Sequence, residues 1–446
     1  MKYKKYRKFK DSGVEWLGEV PDHWSTPKLK LFINTTKGFA FKSDDFIEDG
    51  IPVVKMTEIK NGTINKSSVF LPSEFRISHK QVLLNTDDII VSTVGSSAEV
   101  KNSAVGQIGI VPKEHNGSLL NQNTVIFSPN KQLSKYYLPY ILKSQAYREH
   151  LDLHAHGTAN QASLNLTDML KFIFPFPPFK EQQQIAKFLD NATQKMDTLI
   201  QKQENLIKLL KEKRQAVISH AVTRGLNPDV KFKDSGVEWL GEVPEHWGIS
   251  KLKYLGNAII GLTYSPSNIV EYSKGTLVLR SSNIQNGKLV FNDNVYVNAE
   301  IPIKLITKEN DIVICSRNGS RRLIGKNAKV TKDTAGHSFG AFTTVYRSKY
   351  NNFIFYILNS SLFTFQSGRF LTTTINQLTT GTLNTFEVPF PSIEEQKEIV
   401  NYLDDKTKKI DTLIKKATKS IKLLKEKRTA LISAAVTGKI DVRELV

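Results

Sequence analysis

Residues 9–24 read FKDSGVEWLGEVPDHW, and residues 232–247 read FKDSGVEWLGEVPEHW, differing only at Asp22 and Glu245. A repeat of this length commits the chain to building one fold twice. A second pair lies further on: PFPPFKEQQQIAKFLD opens residues 175–226, PFPSIEEQKEIVNYLD opens 389–440, and IKLLKEKR stands at both 207–214 and 421–428. Between these fixed segments the two halves diverge. Only VVKMTEIKNGTI (53–64) against VLRSSNIQNGKL (278–289), and TDDIIVSTVGSS (86–97) against ENDIVICSRNGS (309–320), keep a shared skeleton. Two copies are too few for a solenoid, so a pseudo-twofold arrangement is expected.

The local pattern gives an α+β chain. Clusters of β-branched and apolar residues at 53–54, 89–94, 124–127, 277–279 and 311–315, set between Gly, Asn and Asp, predict short buried strands. Tyr136–Tyr147 and Phe353–Phe365 predict short helices, so each body is mixed α/β. Prolines at 175, 177, 178, 389 and 391 stop one element before a long helix begins. In that helix Ile185, Leu189, Ala192, Met196, Leu199, Gln203, Leu206 and Leu210 alternate spacings of four and three. Ile399, Leu403, Lys406, Ile410, Leu413, Ala417, Ser420 and Leu424 repeat the register. Such a seam predicts two long helices pairing as an antiparallel coiled coil. The expected organisation is a leading segment 1–24, a body 25–178, a helix 179–226, a repeated leading segment 227–247, a body 248–392, and a helix with tail 393–446. Trp16, Leu17 and Trp24, with copies Trp239, Leu240 and Trp247, are expected to pack the bodies onto the helices, with partner docking as the competing use.

At 446 residues the chain exceeds one ordinary core. A single cysteine, Cys315, excludes a disulfide framework and a Cys-based zinc cluster. No run of about 20 apolar residues offers a membrane span, and a reducing cytoplasm is the expected setting. The basic start, MKYKKYRKFK, lacks a secretory apolar core and reads as a disordered tail, with DNA contact as its alternative. The net charge of +19 favours a polyanionic partner. It is uneven: residues 11–178 carry −1, whereas 227–392 carry +6.

The SGVEWLGEVPxHW segment, the PFPP…EQQQIAKFLD passage into a long helix, and the repetition of both around variable bodies resemble the specificity subunits of type I restriction–modification systems. The resemblance covers essentially the whole chain. It implies that the bodies are target recognition domains, each reading half of a bipartite, asymmetric site in double-stranded DNA. It further implies helices that set the spacing, methyltransferase subunits (two of them) docked along helices and leading segments, and motor–nuclease subunits that join for restriction. S-adenosylmethionine, ATP and magnesium would belong to those partners, and this chain would hold no cofactor, metal or catalytic site.

Missing motifs agree with that expectation. PFPPF (175–179) and PFPS (389–392) lack the Asn or Asp of an adenine-methyltransferase motif. GSRRLIGKN (319–327) has the wrong glycine spacing for a phosphate loop and Asn327 where Ser or Thr is needed. His154 and His156 lack companion ligands and read as a surface or DNA-facing pair. The competing functions are an enzyme with an unrecognised site and a coiled-coil scaffold without sequence-specific DNA binding.

Base reading requires Arg or Lys for guanine, Asn or Gln for adenine, and Ser or Thr for either. The foremost candidates are Arg317, Asn318, Ser320, Arg321 and Arg322, in a loop expected after strand 311–315. Arg280, Ser281 and Asn283 follow strand 277–279, and Asn376 with Gln377 precede the second helix. Matching positions in the first body are Lys55, Thr57, Ser96, Ser97, Lys101, Asn102, Asn160 and Gln161. The run Asp44, Asp45, Glu48, Asp49 cannot lie against phosphate.

Overall fold

The computed structural model describes residues 3–60, 62–96, 105–158, 161–370 and 377–445. It divides into two compact units, Met1–Lys202 with Ser420–Val446, and Gln203–Lys419. Each is built around an antiparallel four-stranded sheet with the same strand order. In the first unit the strands run Ile108–Ile110, Ile89–Ser92, Thr124–Pro129, Ile33–Lys37 across the sheet. In the second they run Asn327–Lys329, Ile312–Cys315, Thr343–Arg347, Asn257–Ile260.

Why the central strands read as unbroken apolar runs is visible in their side-chain alternation. Ile89, Val91, Val125 and Phe127 enter one core, while Ile90 and Ile126, on the opposite face, enter another. In the second unit Ile312, Ile314 and Tyr346 face one core and Val313, Cys315 and Val345 the other. A sheet covered on both faces has no polar side to alternate with. The strands expected at 53–54, 124–127, 277–279 and 311–315 fall within Ile51–Val54, Thr124–Pro129, Thr276–Leu279 and Ile312–Cys315, give or take one residue at an end. The run at 89–94 divides into Ile89–Ser92 and Val94–Gly95, which belong to different sheets.

Two expected helices are each broken in two. Leu138–Leu142 and Gln145–His154 are separated because the Ser144 hydroxyl accepts the Tyr147 N–H at 3.2 Å and restarts the helix as an N-cap. Asn351–Leu358 and Ser361–Phe370 are separated at Asn359 and Ser360.

The long helices are Phe179–Arg224 and Ile393–Val436. Each stops just before a glycine in the left-handed region, Gly225 (φ 74°) or Gly438 (φ 71°), where a side chain would be strained. In the first unit Leu189 and Met196 share a core with Leu424, Leu431 and Ala435, and Arg428 pairs with Asp197 at 3.2 Å. In the second, Ile218 and Val222 share a core with Ile399 and Leu403, and Arg214 pairs with Asp411 at 2.9 Å. Within each unit the helical segments run in opposite directions.

The seam differs from the expected one by a single residue at alternate steps. Leu199, Leu206 and Leu413 are exposed, at 47%, 42% and 49%. Their neighbours Ile200, Ile207 and Ile414 turn inward instead. Ile185, Leu189, Met196, Leu210, Ile399, Leu403 and Ile410 are buried and Leu424 partly so. Both registers obey a heptad, and where two apolar residues stand side by side the sequence does not say which one faces in.

One carboxylate fastens each leading segment to the start of a long helix. Glu181 accepts from the Tyr6 hydroxyl (2.6 Å) and Trp24 Nε1 (3.2 Å), and lies 2.8 Å from His23 Nε2. Glu395 accepts from Trp247 Nε1 (2.9 Å) and lies 3.0 Å from His246 Nε2. Leu17, Trp24 and Trp247 are buried as core residues, and Trp239 and Leu240 pack against a core while partly covered. Trp16 departs from that expectation: it stacks on Phe172 at 5.5 Å yet stays 43% exposed. The described N-terminal residues are likewise packed rather than loose. Tyr6 is buried, Lys4 pairs with Glu444 at 2.8 Å, and the Asp441 N–H donates to the Lys4 carbonyl. Among the described residues no helix is long and apolar enough to cross a membrane.

Candidate nucleic-acid interface

In the second unit the buried strand Ile312–Cys315 ends beneath a polar loop. The Cys315 thiol is a core group, pushed above its ordinary range by burial. Beyond it the Arg317 N–H donates to the Phe342 carbonyl at 3.1 Å, and Arg317 bridges Gln377 across a short β contact. The Arg317 guanidinium lies 5.2 Å from the centre of the exposed Phe342 ring, a contact that orients it without removing it from water. The Asn318 amide donates to Ser281 Oγ (3.2 Å) and its oxygen accepts the Ser320 N–H (2.9 Å). The loop after strand 312–315 and the turn after strand 276–279, far apart in sequence, therefore form one surface. Ser320, Arg321 and Arg322 are exposed on it, with Arg321 Nη2 donating to the Gly368 carbonyl.

Arg280 and Ser281 stand beside a cavity of about 470 Å³, lined also by Leu262, Tyr264, Asp293 and Phe342. A close backbone approach shapes it, since a Cβ on Gly261 would collide with the Phe339 and Gly340 carbonyls. Asn283, a candidate contact from the sequence, does not belong to that surface. It is fully buried; its oxygen accepts the Arg280 N–H (2.9 Å), and its amide donates to the carbonyls of Val290 (3.0 Å) and Asp293 (3.2 Å). It is a staple for the turn, and its hydrogen-bonding capacity is used inside.

The first unit repeats the staple with a different residue. Buried Glu58 accepts from Lys55 N–H (2.6 Å) and from the Ser68 hydroxyl (3.1 Å). Lys55 lies 5.0 Å from the Phe46 ring centre and Thr57 is exposed. Ser96 is partly covered just after strand Val94–Gly95, and Gln161 begins strand Gln161–Leu164. Ser97, Lys101, Asn102, Asn160 and Asn376 lie outside the described residues. His154 Nδ1 stands 2.8 Å from the His150 carbonyl oxygen. The acidic run lies on and after the short helical turn Ser43–Asp45, with Asp44, Glu48 and Asp49 exposed to solvent.

Comparison of the two units exposes residues that the sequence reading passed over. The Ser316 N–H donates to the Phe342 carbonyl (3.0 Å), and the Thr93 N–H donates to the Asn123 carbonyl (2.8 Å). Ala341 N–H donates to Leu262, and Gln122 N–H to Phe39. Gln122 and Asn123 thus occupy the backbone places of Ala341 and Phe342, and both are exposed. The signal was present as Asn121-Gln122-Asn123 directly before a predicted strand, an amide run of the type that reads adenine.

A family model described as the type I restriction modification DNA specificity domain matches the chain twice, at residues 21–209 and 244–423. The chain belongs to the type I restriction–modification DNA specificity family. Its curated relatives include the putative type I restriction enzyme MjaX specificity subunit of Methanocaldococcus jannaschii, 25% identical over 437 residues and covering 96% of each chain. The EcoKI specificity subunit of Escherichia coli strain K12 is 31% identical over 211 residues, 45% of this chain and 44% of that one. In a solved structure of a type I R-M system, one chain has a TM-score of 0.70 at 16% identity, covering 94% of this chain and 98% of its own. That likeness is one of fold. As a type I specificity protein, the chain serves DNA sequence recognition. Its two family-model matches each contain one four-stranded sheet and one stapled turn.

Proposed function

We propose that each body reads one half of a bipartite, asymmetric DNA site. The observation that carries this reading is the shared loop frame with changed side chains: Gln122 and Asn123 in one unit, Ala341 and Phe342 in the other, on matching backbone hydrogen bonds. Two bodies with one backbone and different outward groups present different donor and acceptor patterns to base edges. Arg317, Asn318, Arg280 and Ser281 lead the second body's surface, with Arg321 and Arg322 placed for phosphate. Gln122, Asn123, Lys55 and Thr57 lead the first.

In this reading the long helices pair as an antiparallel coiled coil, give the chain a pseudo-twofold repeat, and fix the unread spacer between half-sites. Two methyltransferase subunits dock along the helices and the repeated leading segments, where the exposed face of Trp16 is an available contact. Motor–nuclease subunits join for restriction. Catalysis, with S-adenosylmethionine, ATP and magnesium, resides on those partners, and the complex works on DNA in the cytoplasm.

The test is a base-resolution adenine-methylation map of cells carrying the partner methyltransferase, with and without this chain. A two-part asymmetric motif appearing only with the chain is the expected result. Methylation that is indifferent to the chain would overturn the proposal and favour a scaffold.

A further inference from the structure

Resting on the reading above, we infer that Arg280 and Asp293 act as one unit that specifies a G·C base pair in the half-site of the second body. Arg280 Nη2 donates to Asp293 Oδ1 at 2.9 Å, and both side chains remain open to solvent at the mouth of the 470 Å³ cavity. Ordinary surface ion pairs of this kind join two flexible side chains and do little. Here both backbones are anchored by one buried residue, because Asn283 accepts the Arg280 N–H and donates to the Asp293 carbonyl. The pair is held in place before any ligand arrives.

Its chemistry discriminates between base and backbone. A bare arginine in a DNA cleft serves phosphate as well as guanine, but the Asp293 carboxylate beside it repels phosphate oxygens. A base edge suffers no such repulsion. Guanine offers O6 and N7 to a guanidinium, and cytosine offers its N4 amino group to a carboxylate. The cavity has further unused capacity: Arg280 Nε and Ser282 Oγ are both shielded from solvent and have no hydrogen-bond partner among the described residues. Leu262, Ala341 and Phe342 supply an apolar wall suited to a neighbouring base face or thymine methyl. Among the described residues the first unit has no such pair. At the position of Arg280 it has Lys55, directed to Phe46 instead of a carboxylate, so the device belongs to one half-site alone.

The experiment selects bound sequences from a randomised DNA duplex library, using the full chain in complex with its methyltransferase subunits. Wild type, Arg280→Gln and Asp293→Ala are compared. Wild type should enrich a two-part motif. Arg280→Gln should relax one G·C position by about 5- to 150-fold and leave every other position intact, which also shows that the variant is folded. Asp293→Ala should relax the same position by a smaller factor. An unchanged motif in both variants overturns the inference, as does an even loss across all positions or a complete loss of binding in both. The absence of any motif with wild type would instead overturn the half-site reading itself.

Discussion

Asn283 and Arg317 stand in loops of similar composition, yet one is buried and the other faces solvent. The sequence RSSN after a strand says that a polar turn follows, but not which of its side chains turns inward. That depends on Val290 and Asp293 arriving from another segment to use the Asn283 amide. Removing it in Asn283→Ala leaves backbone groups of Arg280, Val290 and Asp293 without their partner. The expected cost is about 1–3 kcal/mol, read as a lower urea midpoint for the second unit, with the half-site of the first body unaffected. Arg317 and Arg322 are separated by a different measurement. Arg317, oriented over Phe342, should on replacement by Ala cost roughly 1–3 kcal/mol on cognate DNA and loosen one position. Arg322→Ala should weaken binding equally on all sequences and lower the salt slope by about 1. Titrations of cognate and scrambled duplexes at several salt concentrations check both, and equal behaviour of the two variants would dissolve the distinction.

At the level of elements, the strands were legible because double burial leaves uninterrupted apolar runs such as Ile89–Val91 and Ile312–Cys315. The long helices were legible from their heptads and from the prolines that precede them. The seam itself was not, because Leu199-Ile200 and Leu206-Ile207 are adjacent apolar pairs and either member satisfies alternating fours and threes. Tertiary packing makes the choice, and it selects the isoleucines. Ile200→Ala should therefore destabilise by roughly 2 kcal/mol or more, and Leu199→Ala by less than about 0.5 kcal/mol. Urea unfolding of the two variants side by side decides the register, and a larger loss at Leu199 would restore the original one. The breaks at Ser144 and Asn359 were hidden for a related reason: capping depends on a hydrogen bond from one side chain, and it leaves the apolar pattern of Tyr136–Tyr147 almost unchanged.

For the whole molecule, duplication was plain in the repeated 16-residue segment, whereas the charge of the bodies remained a poor guide to their surfaces. The near-neutral first body carries exposed Gln122 and Asn123 where the basic second body carries Ala341 and Phe342, so one frame presents different outward groups in the two bodies. The frame also explains how a body can be exchanged. Its first and last residues lie side by side: Ser25 N–H donates to the Phe176 carbonyl at 3.1 Å, Leu29 N–H to Phe172 at 2.8 Å, and Phe174 N–H to Pro27 at 3.1 Å. In the second unit Gly248–Lys251 pairs antiparallel with Glu387–Phe390 in the same manner. A graft of residues 25–174 from another family member thus enters and leaves at one place, keeping the Glu181 anchor and both long helices intact. The exchanged chain, mapped by adenine methylation with the same methyltransferase, should change one half of its motif and retain the other half and the spacer. Alteration of both halves would mean that the bodies do not read independently. An altered spacer would move the ruler out of the helices and into the bodies, because the graft leaves the sequence of both long helices, Phe179–Arg224 and Ile393–Val436, unchanged.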